Sequence, residues 1–152
     1  MERQKNRIKK EIQELSENPI EGVKLIMNEN DMNLWVGEIN GPIGTPYEGF
    51  VLKTTIKLTN QYPFESPSVT FDHPVFHPNI NLGNGRICLD ILNSQWCPAY
   101  SLTKVMLSIS SLLDDPNANS PLNGEAAKYW RENREKYNEM AKSVCEKNCR
   151  KI

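Results

Sequence analysis

Apolar and polar positions along this chain repeat in two periods, and the switches between them mark out its elements. Over residues 2–16, Ile8, Ile12 and Leu15 fall on one face of a helix, while Arg3, Lys5, Arg7, Lys9 and Lys10 crowd the remainder. Asn18-Pro19 stops that helix, because proline pushes the preceding residue away from helical geometry. Strand-like segments follow. Val23 to Met27 is apolar and β-branched at its start. Asn33 to Ile39 alternates, with Leu34, Val36 and Glu38 on one face and Trp35, Gly37 and Ile39 on the other. Phe50 to Leu58 puts Phe50, Leu52, Thr54, Ile56 and Leu58 on one face, and Ser68 to Phe71 supplies a fourth short strand. The stretches Gly41 to Gly49 and Tyr62 to Pro67 are dense in glycine and proline and read as loops. Four strands at this spacing make an antiparallel meander, and its apolar face needs a cover.

The cover is legible further on. Ser101 is placed to cap a helix carrying Leu102, Val105, Met106, Ile109, Leu112 and Leu113, a stripe so wide that the helix must be central and largely buried. Gly124 to Arg131 reads as a short helix. Arg134 to about Cys149 reads as a longer one, with Tyr137, Met140, Ala141, Val144 and Cys145 facing inward. The predicted class is therefore α+β: an N-terminal helix, a four-stranded antiparallel meander, a central helix over the sheet and two C-terminal helices, in one domain over residues 1–152.

Composition narrows the function classes. A chain of 152 residues with 24% charged residues and a net charge of -1 offers no basic surface for nucleic acid or an anionic membrane as its main partner. No apolar run approaches the roughly 20 residues of a membrane span, and no secretory or lipidation pattern is present, so the expected setting is the cytoplasm, the nucleus or both. Cys88, Cys97, Cys145 and Cys149 form no C-x-x-C pair and have no histidine at ligand spacing, which argues against a metal site. In a reducing compartment all four are read as thiols. The five cations in the first ten residues are a concentrated positive patch on a slightly negative chain, suited either to solvent or to an acidic docking partner.

The chemistry gathers between His77 and Leu92. A rigid His77-Pro78-Asn79 turn precedes Cys88 by nine residues from the asparagine, across the loop Asn81 to Gly85. An amide beside a thiol suits acyl transfer, with sulfur carrying the acyl group and the amide stabilising an oxyanion. An activated cysteine site would also want an imidazole beside the thiol. With only His73 and His77 in the chain, that option is thin. The alternative is that Cys88 is a small buried hydrophobe and the turn merely shapes its approach.

Taken with these residues, the Gly41-Pro42…Thr45-Pro46-Tyr47…Gly49 loop, Tyr62-Pro63-Phe64…Pro67, Gly85-Arg86-Ile87-Cys88-Leu89-Asp90-Ile91-Leu92, Trp96-Cys97-Pro98-Ala99 and Asp115-Pro116-Asn117…Ser120-Pro121-Leu122 occur in one order. In that order, after a basic first helix, the chain resembles the ubiquitin-conjugating enzymes, which carry ubiquitin as a thioester; the likeness runs from about residue 3 to 148 and is to the minimal, core-only members. The resemblance implies that Cys88 accepts ubiquitin from the activating enzyme. It implies that Asn79 holds the active-site loop and stabilises the oxyanion formed when an amine attacks, and that His77 and Pro78 are structural. Ser120 and Asp90 would flank the path of the incoming lysine. The family often has aspartate at the position of Ser120, and serine cannot supply that charge, though it is phosphorylatable; Ser120 alternatively caps the following helix. Arg7, Lys9 and Lys10 would meet the activating enzyme, and Phe64, Pro98 and Ala99 would dock RING or HECT ligases. Leu107 and Ser111 would face the thioester-linked ubiquitin. No cofactor or metal is implied.

The chemistry of such a carrier does not need a strong base at sulfur. A thioester is already activated; an amine nucleophile needs a less charged lysine, brought in along a partly desolvated path, together with oxyanion donors. Two features depart from the family's usual pattern. The Asn79-to-Cys88 spacing is one residue longer, and Glu65 stands beside Phe64 where lysine is common. Competing readings are a non-catalytic scaffold of the same fold, which the presence of Cys88 argues against, a carrier of another ubiquitin-like modifier, and a cysteine hydrolase, which would want a base at Cys88.

Overall fold

The computed structural model describes residues 2–152. Strands β1 (Val23–Asn28), β2 (Asp31–Asn40), β3 (Phe50–Lys57) and β4 (Ser68–Phe71) pair antiparallel in chain order. The alternation predicted for β2 sorts as pleat geometry requires: Trp35, Gly37 and Ile39 are buried, and Leu34, Val36 and Glu38 lie on the outer face. On β3, Phe50, Leu52, Thr54 and Ile56 all point inward. Helix α2 (Leu102–Asp114) lies on this inner face. The six positions of its predicted apolar stripe are buried, and Ser101 caps it by accepting a hydrogen bond from the backbone N–H of Lys104 at 3.1 Å. Glycine at position 37 leaves room for the Met106 side chain of α2, since a Cβ there would sit 2.5 Å from its terminal methyl and 2.8 Å from the Thr54 hydroxyl. Helices α1 (Glu2–Glu17), α3 (Gly124–Glu132) and α4 (Arg134–Asn148) complete an α+β fold, with Tyr137, Ala141 and Cys145 as the buried face of α4.

Two expectations are corrected. The sheet has five strands: β5 (Arg150–Lys151) pairs antiparallel with Val51 and Phe50 of β3. β4 covers β3 only from Thr54 to Lys57, so the edge at Phe50–Val51 stands open, and the chain leaving α4 fills it. Two exposed cations carry no periodic signal, which is why this strand is invisible in the pattern. The second correction concerns the inward face of α1, which is largely polar. Ile8 is buried, but its companions are Gln4 and Glu11, and Ile12 is 39% exposed. The Gln4 amide donates to Asn33 Oδ1 at 2.8 Å and to Thr59 O at 2.9 Å, so buried polar partners override hydrophobic patterning here.

Candidate active site

The turn at residues 77–79 is fixed from three sides. Tyr47, fully buried at the end of the glycine-rich loop, donates its hydroxyl hydrogen to Phe76 O at 2.6 Å and lies 2.7 Å from the Tyr137 hydroxyl of α4. His77, also fully buried, uses both ring nitrogens. Nδ1 accepts the backbone N–H of Asn79 at 3.0 Å, so Nε2 carries the proton and donates to Leu112 O at 2.7 Å, satisfying one of the terminal carbonyls of α2. The ring is therefore a neutral strut between turn and helix.

Burial pushes the His77 imidazole down to about 4, against the opposing pull of the Leu112 carbonyl. Its ordinary value in an unfolded chain is about 6.5. Between those values the unfolded chain binds the proton and the folded chain does not. The stabilising contribution is thus complete above about pH 6.5 and is lost as pH falls toward 4, amounting to about 2 kcal/mol between pH 7 and pH 5. Proton NMR of the imidazole, assigned by comparison with His73→Gln, is expected to show His77 neutral down to about pH 5; titration near 6.5 would contradict this arrangement.

Asn79 and Cys88 face each other across a hairpin. Ile80 bridges Ile87, Asn81 N–H donates to Arg86 O at 2.8 Å, and Cys88 N–H donates to Asn79 O at 2.8 Å. In that register Asn79 and Cys88 are opposed residues, and the extra residue in their spacing lies in the connecting loop. The loop is stiff. The Asn81 side chain accepts the N–H groups of Gly83 and Asn84, and Asn84 Oδ1 accepts that of Arg86. The hairpin is seated on β4 by Phe71 N–H donating to Gly85 O at 2.9 Å and by a Thr70–Arg86 bridge.

The Asn79 amide is buried and already engaged. Its Oδ1 accepts from Asn117 N–H at 2.8 Å, while Nδ2 donates to Asn117 O at 2.7 Å and, more weakly, to Ser120 O at 3.4 Å. Pro78 O accepts from the N–H groups of Leu122 and Asn123. The turn therefore holds the whole 117–123 loop against the hairpin, and the Ser120 side chain stands exposed on that loop. Ser120 does not cap α3: that role belongs to Asn123, whose side chain accepts from Ala126 N–H at 3.1 Å.

Cys88 is half-buried, and two residues on, Asp90 is exposed at the start of a 3₁₀ turn (Asp90–Leu92). One Asp90 carboxylate oxygen accepts the N–H of Ile91 at 2.7 Å. No imidazole serves the thiol, since His77 is committed as above and His73 contacts Cys149. The arrangement offers a partly exposed thiol, a buried amide on the residue opposite it in the hairpin, an exposed carboxylate two residues on, and an exposed hydroxyl on the 117–123 loop that the amide holds. Such a set suits exchange of an acyl group that arrives already activated.

The loops carrying Phe64, Pro98 and Ala99 are tied to each other. Trp96 Nε1–H donates to Pro63 O at 2.8 Å, and the Trp96 ring lies 6.1 Å from that of Tyr62. Phe64 stands 60% exposed, with Pro98 and Ala99 exposed as well. Glu65 accepts from the Thr59 hydroxyl at 2.8 Å, which fixes a carboxylate beside Phe64. Leu107 and Ser111, one helical turn apart on α2, are both exposed.

Sequence reasoning missed the hub beneath these loops. Glu11 is buried, and one carboxylate oxygen accepts from Leu102 N–H at 2.7 Å, at the N-terminus of α2. The other oxygen accepts from the Tyr62 hydroxyl and from Arg7 Nε. Arg7 in turn donates to Pro98 O at 2.6 Å and to Tyr100 O. Its guanidinium is therefore directed inward as a brace for the 98–100 loop, whereas Lys9 and Lys10 are exposed. The available signal was an acidic residue at the i+3 position from Ile8, on the face that must pack. Among the described residues, no group of three His, Cys, Asp or Glu side chains is arranged to hold a metal ion.

Comparison with known proteins bears on the family and the fold. Residues 7–145 match the family described as ubiquitin-conjugating enzyme. The fold superimposes on the E2 domain of a Toxoplasma gondii ubiquitin conjugating enzyme with a TM-score of 0.88. The two are 35% identical over 97% of this chain and 99% of that one.

Proposed function

The chain belongs to the ubiquitin-conjugating enzyme family, and from that premise we propose that it carries ubiquitin as a thioester on Cys88 and passes it to lysine or to a ligase cysteine. The observation that carries this reading is the register that sets Cys88 opposite Asn79 in a hairpin braced by His77. In the first step the Cys88 thiolate attacks the carbonyl of the activating enzyme's thioester and that enzyme's thiolate leaves. In the second, an acceptor amine attacks the new thioester, the carbonyl oxygen becomes an oxyanion, and Cys88 leaves as thiolate. Asn79 supports the second step by holding the 117–120 loop and by offering Nδ2, whose long bond to Ser120 O is the one most easily exchanged for an oxyanion. Asp90 and Ser120 flank the approach of the amine. Ser120 contributes a hydroxyl there and no charge.

Partner surfaces follow from exposure. Lys9 and Lys10 present charge to the acidic face of the activating enzyme, while Arg7 contributes indirectly by fixing the 98–100 loop. Phe64, Pro98 and Ala99 form the ligase-docking surface, and Leu107 with Ser111 receives the bound ubiquitin in its reactive pose. The test is incubation with activating enzyme, ATP and ubiquitin, followed by electrophoresis with and without reductant. A reductant-sensitive adduct supports the reading, and loading with a different modifier alone overturns it. Phe64→Ala is expected to load normally and to lose most ligase-stimulated discharge, at least about tenfold, because truncating an aromatic hot spot costs an interface about 2 kcal/mol or more. Unchanged stimulation would remove Phe64 from the docking surface.

A further inference from the structure

A groove beside the Cys88 segment carries donors that the thioester chemistry does not use. It offers about 490 Å³ between β4 and residues 84–93. Its two walls are tied together where the Ser66 hydroxyl donates to Leu92 O at 2.9 Å. The polar lining is Ser66, Ser68, Thr70, Asn84, Arg86 and Asn93; the other lining residues are apolar, and no carboxylate is among them.

Ser66 and Asn93 are committed to the 3₁₀ turn, since Asn93 Nδ2 donates to Leu89 O at 3.2 Å. Arg86 differs. Its backbone is fixed by Asn84 Oδ1 and by Asn81 N–H, and its bridge to Thr70 sets it beside β4. The residue is exposed, and among the described residues its guanidinium has neither an ion-pair partner nor a hydrogen bond. Asn84 turns its amide oxygen to Arg86 N–H, which leaves Nδ2 as a donor. The Ser68 and Thr70 hydroxyls are likewise unengaged among the described residues. The nearest carboxylate in that wall, Glu65, accepts from Thr59 instead. A guanidinium, an amide N–H and two hydroxyls in a groove without a carboxylate fit a carboxylate ligand.

The position of Arg86 gives that ligand a role. Ile87 is buried, so Arg86 and Cys88 emerge on the face away from it, about 7 Å apart along the extended segment. Asp90 stands exposed two residues beyond the sulfur. The thiol is therefore straddled by a cation on one side and an anion on the other.

We propose that Arg86, with Asn84, Ser68 and Thr70, binds an acidic side chain of the acceptor protein close in sequence to the lysine being modified. This role rests on the Cys88 thioester reading and extends it to the choice of acceptor. The carboxylate lies on the Arg86 side and the lysine reaches the thioester from the Asp90 side, so an acidic neighbour orients the lysine as well as retaining it. Arg86 is a specificity-determining residue and takes no part in bond making. One partly exposed charge pair of this kind changes a rate by up to about fivefold.

The experiment uses two peptides with one lysine each, flanked by aspartate in one and by asparagine in the other. First, the free chain is titrated with each peptide at low salt and followed by amide NMR. The aspartate peptide is expected to shift the resonances of Thr70, Asn84 and Arg86, and the asparagine peptide to leave them in place. Second, the ubiquitin-loaded chain is discharged to each peptide in a single turnover. The parent is expected to favour the aspartate peptide about three- to fivefold, Arg86→Gln to treat the two alike, and Arg86→Glu to favour the asparagine peptide. Equal shifts, equal discharge by the parent, or a preference that survives in Arg86→Gln would each overturn the proposal. Loading is read on the gel before peptide is added, so a chain that fails there overturns the thioester reading, and the titration still decides the groove.

Discussion

Asn79→Ala is expected to load ubiquitin at nearly the parental rate and to discharge it to free lysine at least about 100-fold more slowly, the usual effect of losing an oxyanion donor. Loading needs a thiolate in a defined place. Cys88 is placed by backbone pairing with Asn79 O, which alanine keeps. Discharge needs more. Oδ1 and Nδ2 of Asn79 make a reciprocal pair with the backbone of Asn117, and their removal releases the loop on which Ser120 stands. It also removes the one amide donor opposite the thiol. Asn79→Asp separates the contributions, since a carboxylate still accepts from Asn117 N–H but donates to nothing. Aspartate is expected to discharge almost as poorly as alanine. If it retains more than about half of the parental rate, donation by Nδ2 plays no part in the step.

Gly85→Ala is expected to lower the unfolding free energy by about 3 kcal/mol and to impair loading as well. Gly85 has φ +75°, a conformation that L side chains rarely adopt. A Cβ there would also lie 2.1 Å from Phe71 O, on the strand that seats the hairpin. Alanine must lift the hairpin off β4, losing the Phe71–Gly85 hydrogen bond and the register that opposes Cys88 to Asn79. Urea midpoints and the initial rate of thioester formation check both effects. A loss below about 1 kcal/mol would show that the hairpin relaxes without disturbing the site.

These residues show how much the chain discloses before it is folded. Strand alternation in β2 and β3 and the broad stripe of α2 are large, repeated burial signals, so they read directly from the pattern. The longer Asn79–Cys88 spacing looked like a departure. Pairing of Ile80 with Ile87 shows how the fold accommodates it, because a hairpin absorbs added length in its loop and keeps the opposed residues opposed. Features governed by single long-range hydrogen bonds left little trace. Glu11 carries no pattern signal of its own, and its role appears only where Leu102, Tyr62 and Arg7 converge on it. Arg7 was grouped with Lys9 and Lys10 because sequence registers charge and not direction, and its role as a brace depends on two carbonyls more than 90 residues away. β5 is specified by the edge that β4 leaves open, a property of the sheet and not of residues 150–151.

The role of Cys88 is tested most directly by where ubiquitin becomes attached. Cys88→Ser, incubated with activating enzyme, ATP and ubiquitin, replaces a thioester by an oxyester that survives reductant, so the joined peptide can be isolated and sequenced by mass spectrometry. A single linkage is expected, from the C-terminal carboxyl of ubiquitin to the side-chain oxygen of residue 88. Attachment at another residue, or a parental reductant-sensitive adduct that persists unchanged in Cys88→Ala, would contradict it.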